Sequence, residues 1–105
     1  HKYKGYKNAN IEIRNNNPIF DLIDAHGNIV DVTTTNAKSI MSSTSNLYRK
    51  LKRLSSVGGY NRRTLQVYVE KGRYSSQEIG ELKSRLQNYI KNNNLNVDFS
   101  IDQIK

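Results

Sequence analysis

The stretch Ile19-Phe-Asp-Leu-Ile-Asp-Ala-His-Gly-Asn-Ile-Val-Asp-Val-Thr33 predicts two buried β-strands joined by a tight turn. Apolar residues occupy both sides of the strands, but Asp21 and Asp31 interrupt them. A buried carboxylate is costly unless it is paired, hydrogen-bonded or bound to a metal ion. Two carboxylates held near each other in a chain of net charge +8 therefore indicate a cation site.

The length of the turn decides whether the two aspartates share a face of the sheet. Directly opposed residues of a hairpin lie on the same face, and successive residues alternate between faces. A five-residue loop from Asp24 to Asn28 pairs Asp21 with Asp31, and a three-residue loop leaves them on one face, two positions apart. A two- or four-residue loop places them on opposite faces. The structural alternative is that Asp24 caps the turn and Asp31 makes a local hydrogen bond.

The composition predicts one globular domain over residues 1–105. With 25% charged and 35% hydrophobic residues, the chain can form a modest core. It contains no cysteine, which excludes a disulfide framework and a thiolate metal site. No apolar run is long enough to span a membrane, and no signal peptide is visible. Because the sequence begins at His1 without methionine, we expect a fragment or a processed domain.

Hydrophobic periodicity predicts the order β-β-β-α-β-α-β, with no internal repeat and no linker. Apolar residues on both faces of 19–33 indicate central strands of a mixed sheet with helices packed on it, an α/β (α+β) fold. Asn36 is expected to cap the first helix, and the serine-rich stretch that follows predicts a break near Ser45. Ser75 and Glu78 fit a capping box for the second helix. The predicted strands cover residues 10–14, 19–24, 29–35, 65–70 and 97–102, and the predicted helices cover 37–54 and 76–91.

Basic residues are concentrated next to the acidic hairpin in the sequence. Residues 49–63 carry six cationic side chains and no acidic one, which favours a polyanion whose phosphates approach the acidic site. A solvated helix face is the alternative. At the N terminus, tyrosines could stack on bases while lysines contact phosphates, although a frayed terminus fits equally well. The residues predicted to bind nucleic acid are Lys2, Tyr3, Lys4, Arg49, Lys50, Lys52, Arg53, Arg62 and Arg63.

The spacing of the two aspartates suits phosphodiester hydrolysis, which needs a cation to polarise the phosphoryl oxygen and to activate a water molecule. Hard divalent cations such as Mg²⁺ are often bound through one or two carboxylates, here Asp21 and Asp31. A cationic side chain can then stabilise the charge that develops on the phosphate. Lys38 is the nearest candidate in the sequence, and Arg49 and Lys52 are more distant ones.

Pro18-Ile-Phe-Asp21 followed by Asp31-Val-Thr33, within the β-β-β-α-β-α-β order, resembles the PD-(D/E)XK nuclease superfamily. The sequence is similar in particular to the small C-terminal nuclease domains of bacterial contact-dependent growth inhibition and polymorphic toxins. The resemblance implies that Asp21 and Asp31 match the two motif acids. Thr33 stands where the family usually has lysine, so that Lys38 would supply the amine from the following helix. The family's usual upstream glutamate is missing, and Glu12 is a poor substitute.

The same resemblance implies a biological setting. The domain would be a secreted or surface-delivered antibacterial toxin that acts in the cytoplasm of a target bacterium. It would be an endonuclease that cleaves tRNA or DNA, with tRNA favoured, and an acidic immunity protein would neutralise it.

Two other functions stay open at this point. One is a metal-independent RNase of the barnase, EndoU or colicin type that uses His1 or His26 as acid and base. The other is a non-enzymatic nucleic-acid-binding module, which would gain nothing from buried acids in the hairpin. Cleavage that needs magnesium, cleavage that resists EDTA, and binding without cleavage distinguish the three.

Overall fold

Two helices and a mixed five-stranded sheet form the fold in a computed structural model that describes residues 2–9 and 19–104. Strand order follows chain order, with antiparallel pairing from β1 to β3 and parallel pairing from β3 to β5. Neither described helix is long and apolar enough to cross a membrane. The elements are β1 (Lys7–Asn8), β2 (Leu22–Ile23), β3 (Ile29–Thr35), α1 (Ile40–Ser55), β4 (Arg63–Glu70), α2 (Ser76–Asn92) and β5 (Asp98–Ile104).

The predicted α+β class and the order of the elements from residue 19 onward are confirmed, but the first strand differs. It comprises Lys7–Asn8, in the segment that was expected to fray or to bind nucleic acid. The predicted strand over 10–14, and Glu12 with it, lie outside the described residues.

One face of the sheet carries both helices and the hydrophobic core. Leu65, Val67 and Val69 alternate along β4, are fully buried, and belong to the same core cluster as the leucines of both helices. Those leucines recur at helical spacing, which gives each helix one apolar face. Burying each such side chain contributes about 1.5–3 kcal/mol before the entropy of ordering is subtracted. The leucines that pack there are Leu47, Leu51, Leu54, Leu82 and Leu86.

Helix α1 corrects two sequence predictions. Its N-cap is Ser39, whose hydroxyl accepts a hydrogen bond from the N–H of Ser42, and not Asn36. The helix also continues through Ser45 without a break. Weak helix formers are tolerated because buried hydroxyl groups nearby find partners: the Ser43 Oγ lies 2.6 Å from both Thr35 Oγ1 and Tyr74 Oη. The capping box of α2 is confirmed, with reciprocal bonds between Ser75 and Glu78.

The N-terminal segment lies on the opposite face of the sheet. The Lys2 Nζ contacts Asp102 Oδ2 at 2.7 Å and Ser100 Oγ at 2.5 Å, and the Tyr3 hydroxyl donates to Gln66 Oε1 at 2.5 Å. Burial, together with the charges of nearby groups, raises the pKa of Tyr3 to about 12. Lys2 and Tyr3 therefore help to cover the sheet, and their predicted contact with nucleic acid stays a prediction.

Candidate acidic site and its basic flank

The hairpin turn is closed by the carboxylate of Asp24. Its Oδ1 accepts hydrogen bonds from the backbone N–H groups of His26 and Asn28, and its Oδ2 accepts one from the Asn28 side chain, each at 2.9 Å. Burial opposes ionisation of Asp24, but these donors outweigh it and hold its pKa below the usual range. The predicted turn-capping role of Asp24 is confirmed, and His26 is an exposed turn residue.

The turn spans five residues, and this odd length sets the register of the hairpin. Leu22 pairs with Val30, and Asp21 donates its backbone N–H to the Val30 carbonyl at 2.9 Å. Extending this register by one residue places Asp21 opposite Asp31, as the five-residue alternative predicted. The Asp21 side chain also accepts a hydrogen bond from the backbone N–H of Val32 at 2.9 Å. Val32 lies beyond the two residues of β3 that pair with β2.

Asp21 and Asp31 occupy different environments although their carboxyl groups share a hydrogen bond. Asp31 is only 6% exposed, whereas Asp21 is exposed, which corrects the prediction that both acids are buried. Burial, and then the hydrogen bond and charge of Asp21, raise the pKa of Asp31 to about 7. Burial and the neighbouring carboxylate thus favour a protonated Asp31 that donates its proton to Asp21, well above the pH at which an ordinary carboxyl group ionises.

The positive charges that act on Asp31 come from the middle of α1. Lys50 and Arg53 oppose the upward shift of its pKa. On the other side of the helix, Tyr48 stacks on Tyr89 of α2 with ring centroids 4.1 Å apart. At 3.6 residues per turn, Lys50 and Arg53 lie away from Tyr48 and hence away from α2. This flank of α1 is therefore on the acidic-hairpin side of the fold.

Lys38, the amine expected from sequence, lies beyond the far end of β3. The strand runs about 13 Å from Asp31 to Thr35, and Lys38 follows three residues later, exposed, before α1 begins. Helix α1 then returns, and the ten residues from Ile40 to Lys50 cover about 15 Å. This return brings Lys50 back to the level of Asp31. Sequence reasoning assigned Lys50 and Arg53 to nucleic-acid binding but missed their proximity to the acid pair.

The other predicted residues are distributed around this centre. Thr33 lies two residues beyond Asp31 on the same face of β3 and is partly buried. Arg49 and Lys52 are exposed on α1, and Arg49 bonds to Asn46 at 2.9 Å. Arg62 and Arg63 meet the N-terminal end of β3, where the Arg62 carbonyl accepts from the N–H of Ile29. Lys4 is exposed in the N-terminal segment.

A divalent cation would find two protein ligands here. Within residues 2–9 and 19–104, no group of three or more His, Cys, Asp or Glu side chains is arranged to hold a metal ion. Mg²⁺ commonly keeps several waters and takes one or two carboxylates from the protein, so Asp21 and Asp31 fit as a minimal pair. A cation bound between them would oppose the upward shift of the Asp31 pKa, because it would stabilise the charged form.

Comparisons of this chain with protein-family models, with curated proteins and with solved structures give no match. The geometry and electrostatics of the acid pair are therefore the basis on which a function can be assigned.

We expect the Asp31→Asn substitution to stabilise the fold, and to do so increasingly as the pH rises. The favourable contribution of protonated Asp31 is complete below its unfolded-state pKa and is lost as the pH rises through about 7. Asparagine keeps the shape without the charge, so the gain in thermal stability over wild type should grow by roughly 10–20 °C between pH 5 and pH 8.

The matched control for this measurement is Asp98→Asn, which removes an exposed carboxylate from β5. It should leave the pH dependence unchanged. A constant offset between wild type and Asp31→Asn from pH 5 to pH 8 would show that Asp31 does not carry a shifted pKa.

Proposed function

We propose that this domain is a metal-assisted nuclease in which Asp21 and Asp31 hold the cation and the basic flank of α1 receives the phosphate. The observation that carries the proposal is the proton-sharing acid pair beside Lys50 and Arg53. A polyanion can approach such a site because the chain carries a net charge of +8. The proposed substrate is nucleic acid, with tRNA favoured and DNA as the alternative.

The two aspartates divide the work of holding a cation. Asp21 is exposed and is anchored by the N–H of Val32, so one of its oxygens is fixed while its carboxylate stays accessible. Asp31 is buried and would have to lose its proton to serve as a ligand to a cation. A bound divalent cation would polarise a phosphoryl oxygen and lower the pKa of an attacking water. Thr33, farther along the same face, contributes a hydroxyl.

Lys50 takes the role that the sequence assigned to Lys38. An amine at this place can stabilise negative charge on the phosphate as the bond to the leaving oxygen breaks. Arg53 lies one turn farther along α1 and can contact an adjacent phosphate through its planar guanidinium. The same flank limits the cost of ionising Asp31, because both cations favour its charged form.

The energetic cost of the acid pair argues against a module that only binds nucleic acid. Two carboxyl groups in contact, one of them buried, cost free energy when both are charged. A binding surface gains nothing from such a cost, and it would repel phosphates locally. In a catalytic site, the same two carboxylates can bind a cation that offsets this cost. The acid pair therefore favours an enzyme over a module that only binds.

The sequence resemblance to polymorphic toxin nucleases extends this proposal to the biological setting. The domain would be delivered as part of a larger secreted or surface protein, would act in the cytoplasm of a target bacterium, and would be neutralised by an acidic immunity protein.

Asp21→Asn and Asp31→Asn should each abolish cleavage of nucleic acid, because either change removes half of the carboxylate charge that holds the cation. The measurement uses total tRNA and plasmid DNA, with added Mg²⁺ and with EDTA, and circular dichroism reports the fold. Wild type should cut only with the metal, and Asp98→Asn should cut like wild type.

Two results would contradict the acid-pair mechanism. If both Asn variants cut at the wild-type rate, the acidic hairpin is structural. If wild type cuts equally well in EDTA, the metal-independent RNase alternative with His1 or His26 replaces it, and His26→Ala becomes the informative variant.

Lys50→Ala should lower kcat about 100-fold with little change in KM, since a group that acts on the transition state affects turnover more than substrate binding. Lys71→Ala is the matched control, because Lys71 is an exposed lysine outside the predicted nucleic-acid surface and should change kcat by less than about threefold. Lys38→Ala tests the alternative amine: a larger loss of kcat in Lys38→Ala than in Lys50→Ala would return the role to Lys38.

Reversing Arg49 and Lys52 to glutamate should weaken binding of duplex DNA and flatten its salt dependence. The logarithm of the association constant falls linearly with the logarithm of the salt concentration, and each lost phosphate contact makes this slope less steep by about 0.9. All binding titrations are made with proteins that also carry Asp31→Asn, which should prevent cleavage of the DNA during the measurement. Lys71→Glu with Lys91→Glu makes the same change in net charge on another part of the surface, and an equal loss of slope in this control would show that only net charge matters.

A further inference from the structure

A groove of about 490 Å³ lies between α2 and β5, two strands away from β3 and its acidic site. Its apolar lining comes from Ile90 on α2 and from Val97, Phe99 and Ile101 at β5. Val97 is buried, but the other three are only partly buried. The groove therefore leaves apolar surface in contact with solvent beside the last strand of the sheet.

The outer edge of β5 has no paired strand within the described part of the chain, since β4 is its one neighbour. The Ile104 carbonyl accepts from the N–H of Lys71, just after β4, so the backbone groups of Ile104 face β4. Alternation along the strand then directs the backbone groups of Phe99, Ile101 and Gln103 toward the open edge. An open strand edge beside an apolar groove is a template for addition of another strand.

Helix α2 places two lysines along the groove. Lys83, Gln87 and Lys91 follow one another at intervals of four residues and line one side of the groove. The two lysines are exposed and lie about 12 Å apart along the helix axis. In residues 2–9 and 19–104, neither forms an ion pair. In an extended strand, residues i and i+4 face the same side and are about 13 Å apart, which matches the spacing of the lysines.

We propose that this groove and the open edge of β5 bind an extended segment of an acidic partner protein, which adds to the sheet as a further strand. Backbone hydrogen bonds would form with Phe99, Ile101 and Gln103. On the groove side, the segment would carry two acidic residues four positions apart, opposite Lys83 and Lys91, with an apolar residue between them.

Charge complementarity selects this occupant over two others. A second copy of this chain would bring another net charge of +8 to an edge already flanked by lysines. A nucleic-acid strand would leave the outward backbone groups of β5 and the apolar lining of the groove without matching partners. An acidic polypeptide satisfies the lysines, the apolar surface and the backbone edge together.

The test uses the full chain and a capped nine-residue peptide, Thr-Val-Thr-Glu-Thr-Val-Thr-Glu-Thr, labelled for fluorescence anisotropy. Saturable binding is expected, with backbone amide shifts in NMR spectra at Phe99, Ile101 and Gln103. Lys83→Glu with Lys91→Glu should weaken binding at least tenfold. Lys4→Glu with Lys71→Glu makes the same change in net charge elsewhere and should stay within about twofold of wild type.

A second pair of measurements tests the backbone edge. Ile101→Pro removes an outward N–H while sparing the bonds to β4, so it should weaken binding at least tenfold. An N-methylated peptide tests the same bonds on the unaltered protein and should not bind, which covers the case in which the proline variant fails to fold. These changes do not touch the acid pair or the hairpin. If the peptide does not bind, the nuclease proposal is therefore unaffected.

Three outcomes would overturn the proposal. The first is equal affinity for a peptide of the same composition in which one glutamate moves to the opposite face, Thr-Val-Thr-Glu-Thr-Val-Glu-Thr-Thr. The second is sedimentation of the chain as a dimer that Ile101→Pro dissociates. The third is displacement of the peptide by an equimolar single-stranded oligonucleotide that gives the same NMR shifts.

Discussion

The hydrogen bonds to the Asp24 carboxylate are the constraint on which the candidate site depends. Three donors from His26 and Asn28 converge on this side chain and fix the turn at five residues. A turn one residue shorter or longer would move Asp21 to the opposite face from Asp31, because side chains alternate along a strand. One carboxylate thus holds a turn so that two others can meet, and each of the three has a different environment.

Sequence periodicity predicted most of the fold because the described elements bury their apolar residues at regular spacing. The predicted break at Ser45 was wrong because propensity is a local preference, whereas Ser43 and Thr44 lie buried and find partners that the local sequence does not reveal. Strand β1 was missed for the opposite reason: Lys7–Asn8 has no apolar pattern, and its pairing with β2 makes it a strand.

The opposition of the two acids was predictable from the sequence, whereas the proximity of Lys50 to them was not. Alternation and loop length are properties of a short stretch, so the opposition of Asp21 and Asp31 follows from counting. The place of Lys50 near Asp31 depends on how far α1 returns along the sheet, which no local pattern encodes. Adding the rise of β3 to the rise of α1 would have indicated that Lys50 returns to the level of Asp31. That sum requires the helix boundaries, and the predicted cap at Asn36 was three residues early.

The two faces of the sheet explain where the acid pair and the open strand edge lie. The helix-bearing face contains the core, and Asp31 belongs to this face, where burial disfavours its charged form and raises its pKa. The other face is crossed by the N-terminal segment, whose Lys2 and Tyr3 bind Asp102 and Gln66. Neither face covers the outer edge of β5, which pairs only with β4 in the described part of the chain. Because β4 separates the acidic site on β3 from the open edge at β5, the two proposed partners would contact different residues and would not compete for the same surface.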